Sequence, residues 1–115
     1  MPFGDIGGLH HALIITCRPA AGETFEIGDP VSLVDNYTVS KKGPKLFGQI
    51  YNVYKESVEV TVRGVCRFKY DVEPRLGSDI SMYELTGDLM VQYRGAALNM
   101  IISINKKNKT VDVLL

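Results

Sequence analysis

Residues Val58–Tyr70 read VEVTVRGVCRFKY. Val58, Val60, Val62, Cys66, Phe68 and Tyr70 share one parity, with Gly64 among them. Glu59, Thr61, Arg63, Arg67 and Lys69 share the other, where Val65 is the sole apolar residue. A period of two held this long predicts a single long strand with one buried and one solvated face. Gly64 on the buried parity predicts a bulge or bend, because a strand glycine has no side chain to pack.

Working outward, short apolar runs alternate with turn signals. His10–Cys17 is almost continuously apolar and predicts a first strand. Gly28-Asp29-Pro30 is a strong turn signal ahead of a short strand at Val31–Val34, and Asp35-Asn36 turns the chain into Tyr37–Val39. Leu46–Tyr54 resumes the pattern, with Gly48 marking a bulge or a close backbone approach. Short strands are expected at Ile80–Tyr83 and Leu89–Arg94. Leu98–Ile104 alternates with Leu98, Met100, Ile102 and Ile104 on one face, and Thr110–Leu115 forms the last strand. The stretch IGDPVSL at 27–33 echoes LGSDISM at 76–82, which reads as one local turn used twice. No stretch has convincing helical periodicity; a short helix fits only 18–24 or 71–79. About eight short strands with closely spaced turns predict an all-β fold, a compact small barrel or β-sandwich.

Residues 10–115 are expected to form a single β domain. Residues 1–9, MPFGDIGGL, carry too much glycine for a helix and too little periodicity for a strand. Two readings stand side by side: a disordered tail, or an extended arm that packs Pro2, Phe3, Ile6 and Leu9 on a neighbouring subunit. The basic loop holding Lys41, Lys42 and Lys45 reads as a solvated loop or as a contact for an acidic partner surface. The same holds for Lys106, Lys107 and Lys109.

The chain has 13 Lys plus Arg against 13 Asp plus Glu, so its net charge is zero. That balance argues against a general nucleic-acid binder, which needs excess cationic side chains to displace counterions. No apolar run reaches the ~18 residues of a membrane span, and no basic region followed by an apolar core marks a secretory leader. Folding in the cytoplasm is expected.

Motifs for chemistry are few. His10 and His11 are adjacent, so a strand points them to opposite faces. Cys17 and Cys66 lack metal-ligand spacing and read as small buried hydrophobes; a disulfide requires their strands to be neighbours. Cys66 lies on the buried parity, where a thiol stays protonated and inert. Asp29, Asp35, Asp79 and Asp88 sit in turns, a role that suits a short carboxylate beside free amides. Tyr51, Tyr54 and Tyr93 are expected at the edge of the core. Neither catalytic residues, nor metal ligands, nor cofactor-binding residues are assigned.

The order of these motifs resembles the capsid decoration, or head cement, proteins of tailed bacteriophages. The matching residues are Gly28-Asp29-Pro30-Val31, Phe47-Gly48, Val60 to Phe68, Gly77 to Ile80 and Val111 to Leu115, so the resemblance spans about 12–115. The segment from Met82 to Ala97 departs from it, carrying Tyr83, Glu84, Tyr93 and Arg94 where the family often has a plainer linker. The resemblance implies a homotrimer that binds the outside of an assembled shell. It would stabilise contacts between major capsid protein subunits, with no cofactor, no nucleic acid and no membrane as partner. It implies residence in the host cytoplasm before assembly and on the virion afterwards. Two other classes remain open: another virion module (head-completion, tail or adaptor protein), and a small ligand-binding or enzymatic β-barrel.

Overall fold

Gly64 divides the long alternating run in two. The computed structural model describes residues 12–43, 45–86 and 99–115. In it Gly64 has φ 115°, a backbone region open to glycine and strained for any side chain. Among the described residues the strands run, in chain order, β1 (Leu13–Pro19), β2 (Pro30–Asp35), β3 (Thr38–Ser40), β4 (Gly48–Val53), β5 (Val58–Arg63), β6 (Val65–Lys69), β7 (Met100–Asn105) and β8 (Thr110–Leu114). One short helix, α1 (Met82–Thr86), precedes β7. The fold is all-β. A closed barrel has the order β1-β3-β2-β4-β5, and a separate three-stranded sheet has the order β6-β8-β7.

The single long strand expected at 58–70 is therefore two strands in two sheets. Its parity survives the corner, because Gly64 occupies one place in the alternation. Val58 and Val60 are buried in the barrel core with Cys17, Val31, Val39 and Ile50. Cys66, Phe68 and Tyr70 are buried in a second core with Val111, Val113 and Ile101. Phe25, from the loop before β2, closes the first core; Leu46, Ile80, Met82 and Leu85 close the second.

Gly48 allows β4 to lie against β5: a Cβ there would collide with the Thr61 carbonyl oxygen and the Val60 side chain. The repeated turn is also present. Gly28 (φ 97°) and Gly77 (φ 78°) share the left-handed side of backbone space. The Gly28 N–H donates to the Ile50 carbonyl and the Gly77 N–H to the Ile101 carbonyl, each at 2.8 Å. Each isoleucine returns the bond, Ile50 N–H to Asp29 and Ile101 N–H to Ser78.

Two local expectations are corrected. Ile80–Tyr83 is not a strand: its last two residues begin α1. Ser81 caps the helix, its hydroxyl accepting the Glu84 N–H at 3.3 Å while the Glu84 carboxylate accepts the Ser81 N–H at 2.9 Å. That reciprocal pair is a capping box, and it overrides the local β pattern. On β7 the expected face is also wrong. Ile101 is buried, whereas Met100 and Ile102 are 48% and 41% exposed. A register shift between Ile101 and Ser103 then returns Ile104 to the core side. The strand expected at Leu89–Arg94 lies outside the described residues.

Candidate functional site

The barrel closes weakly at one seam. β1 pairs with β3 through only Arg18↔Thr38 and Pro19↔Val39. The Arg18 N–H donates to Tyr37 at 2.6 Å and the Ala20 N–H to Val39 at 2.9 Å. On the N-terminal side of that seam, Leu13–Cys17 pair with β5 and, among the described residues, with no strand on their other edge. There a solvent-open groove of about 460 Å³ forms. Ile15, Leu33, Val34, Asp35, Asn36, Tyr37 and Phe47 line it.

Local sequence explains the groove. Val31 and Ser32 are both buried, Ser32 donating its hydroxyl to the Ser40 carbonyl at 3.2 Å. The next two residues then face solvent, Leu33 at 52% and Val34 at 51% exposure. Asp35 and Asn36 hold the turn: the Asp35 carboxylate accepts the Asn36 N–H at 2.8 Å, and Thr38 Oγ1 donates to the Asn36 carbonyl at 2.9 Å. Tyr37 sits at φ 47°, an uncommon place for an aromatic residue, with its side chain 71% exposed. A pinned hairpin thus presents three large apolar side chains to water beside an incomplete strand edge, a combination that marks an interaction surface.

A second apolar surface lies on the outer face of the three-stranded sheet. Val65, Leu114 and Met100 stand in one register row across β6, β8 and β7, and Leu114 is 46% exposed. Further along the same strands stands an ion pair, Arg67 Nε to Asp112 Oδ1 at 2.8 Å and Nη2 to Oδ2 at 3.2 Å. The Asp112 hydrogen bond pushes the Arg67 pKa further up.

The lysines of the basic loop differ in their surroundings. Lys41 reaches back into its own domain, with Nζ 3.9 Å from the Asp29 carboxylate and 5.7 Å above the Phe25 ring. Its N–H donates to Glu23, which also accepts the Ser40 hydroxyl. Lys42 is exposed, and Lys45 is half-buried where it bridges to Ser81. Lys106 pairs with Glu73 at 3.4 Å. Pro2, Phe3, Ile6, Leu9, His10, His11, Asp88 and Tyr93 lie outside the described residues.

Cys17 and Cys66 are free thiols in different cores. Burial raises both pKa values, pushing Cys66 up to about 11. Asp29 and Asp35 accept backbone N–H groups of Glu26 and Asn36, as their turn positions imply. Tyr51 and Tyr54 do not cover the core edge; both are more than half exposed. Tyr54 donates its hydroxyl to Glu59 at 2.8 Å, a bond that raises its pKa. Among the described residues no group of three or more His, Cys, Asp or Glu side chains is placed to hold a metal ion. No described helix is long and apolar enough to cross a membrane, which leaves spanning by strands untouched.

Sequence reading missed the groove. Its signal was Leu33-Val34: consecutive residues of a strand face opposite ways, so one of two adjacent aliphatics must leave the core face. Comparison of the chain with protein-family models, curated proteins and solved structures gives no match.

Proposed function

We propose that this chain is a structural virion protein. It binds the outer surface of a tailed-phage capsid as a homotrimer and stabilises contacts between major capsid protein subunits. The observation that carries the reading is the pairing of two separate apolar surfaces, the barrel-mouth groove and the Val65–Leu114–Met100 row, on a β scaffold with two cores. A cement protein must hold more than one neighbour at once, and two faces on a stiff body meet that need. Each contact can be modest, because repetition over a shell multiplies it. The resemblance to decoration proteins supports the same reading. Its motif residues here do backbone work: Gly28 and Gly77 build the repeated turn, and Gly48 lets β4 approach β5. Such a role asks for shape and surface without a reacting group.

The test is co-sedimentation of the purified chain with assembled shells of the phage that encodes it. Saturable binding to intact shells is the expected result. Removing residues 1–9 is expected to weaken that binding while leaving the circular dichroism spectrum unchanged. A chain that stays in the supernatant at every shell concentration would contradict the proposal.

A further inference from the structure

We infer that the barrel-mouth groove receives residues 2–9 of a second copy of this chain, so that each subunit gives one arm and takes one. The inference rests on the reading of the protein as a self-associating virion component, and it names the contact.

Three observations converge on that occupant. First, the groove is half of a strand-addition site. Among the described residues Leu13–Cys17 have a strand partner only on the β5 side, so an extended chain laid along the other edge gains main-chain hydrogen bonds. Ile15, Leu33, Val34, Tyr37 and Phe47 stand ready for its apolar side chains. Second, the eleven residues before Ala12 join the fold at the groove's own margin, because Leu13 opens β1 and Ile15 lines the groove. At ~3.3 Å per extended residue they reach roughly 36 Å, which equals the 36 Å long dimension of the fold. Third, their chemistry fits. Phe3 and Leu9 share one parity of an extended chain and can face the groove together, Gly4, Gly7 and Gly8 lie between them, and residues 1–11 contain no Lys or Arg. Glycines let a backbone approach another closely.

The choice of a second copy follows from the position of the glycines. To re-enter its own groove, the chain must reverse between Leu9 and Ala12, where His10-His11 offers neither Gly nor Pro. Gly7-Gly8 lies too far out, since a reversal there leaves Leu9 behind. Continuing outward carries Phe3 and Leu9 together onto a neighbour. A give-and-take contact of this kind closes into a ring of three when successive copies are related by a three-fold rotation, the arrangement that the trimer reading requires.

The experiment is sedimentation velocity on the full chain, on the chain lacking residues 1–11, and on Val34→Lys. Val34 is 51% exposed, so the lysine is tolerated by the fold, and circular dichroism checks that. The full chain is expected as a trimer and both variants as monomers. An equimolar mixture of the two variants is expected to give a two-chain species, because one supplies the groove and the other the arm. A full chain that is monomeric, a truncated chain that remains trimeric, or a Val34→Lys chain that remains trimeric would each overturn the inference. Shell co-sedimentation of the same variants separates the two proposals. If Val34→Lys stays trimeric but no longer binds shells, the groove serves the shell, and the virion reading stands without this contact.

Discussion

The side-chain amide of Gln49, on β4, donates a hydrogen bond to the backbone carbonyl of Arg67, on β6, at 2.5 Å. It also donates to the Gly28 carbonyl at 3.2 Å. One residue therefore ties the barrel to the repeated turn and to the three-stranded sheet. Without it the Arg67 carbonyl loses a protein partner at the join between the two cores. Gln49→Ala is expected to cost about 1 kcal/mol, read as a lower urea midpoint with an unchanged slope. An unchanged midpoint would mean that the join does not depend on this bond.

Gly64 makes the corner between β5 and β6. At φ 115° a side chain is strained wherever it points. Gly64→Ala is expected to destabilise by roughly 1–3 kcal/mol. Gly22 supplies the control: at φ 77°, with open space where a Cβ would sit, it lies nearer the left-handed well that other residues can visit. Thermal melts should rank Gly64→Ala well below Gly22→Ala. Equal melting temperatures would remove the corner from the account.

Burial sets the thiol chemistry. Cys66 is 5% exposed, and its pKa is pushed up from 9.0 to about 11. The folded state therefore holds the proton more tightly than the unfolded one. This contribution is fully present below pH 9 and is lost as pH rises toward 11, on the order of 2 kcal/mol in total. Cys66→Ala should flatten the alkaline limb of the stability curve between those values. Neither Cys17 nor Cys66 is expected to react with a thiol reagent at neutral pH until the protein unfolds. Rapid labelling of the native protein would contradict their burial.

Ser81 and Glu84 hold α1 through their capping box. Ser81→Ala removes the acceptor for the Glu84 N–H and is expected to cost about 1 kcal/mol. The helix carries Met82 and Leu85 into the second core. The loss should therefore appear in the global denaturation midpoint, and an unchanged midpoint would show that packing alone fixes the helix.

The fold class was legible because alternation marks which residues share a face, and Val58–Tyr70 kept its parity. The split into two sheets was hidden for the same reason: Gly64 turns the chain without breaking the alternation. On β7 the alternation of Met100, Ile102 and Ile104 suggested a buried face, yet Ile101 takes the core side, Met100 and Ile102 face out, and the bulge after Ile101 brings only Ile104 back to the core. The helix was missed although Ser81-x-x-Glu84 is a capping signal, because Ile80–Tyr83 also suits a strand. Lys41 looked like surface charge; its pairing with Asp29 and Phe25 depends on a loop closing back on the barrel, which local pattern does not specify. The groove depends on where β1 and β3 stop pairing, a tertiary property with only the Leu33-Val34 pair as a local trace.

The central claim is that the chain coats a capsid exterior. Antibody labelling of whole particles, viewed by electron microscopy, tests it most directly. Label distributed over the whole shell surface is the expected result. Label confined to a single vertex or to the tail, or absent from the particle, would contradict it.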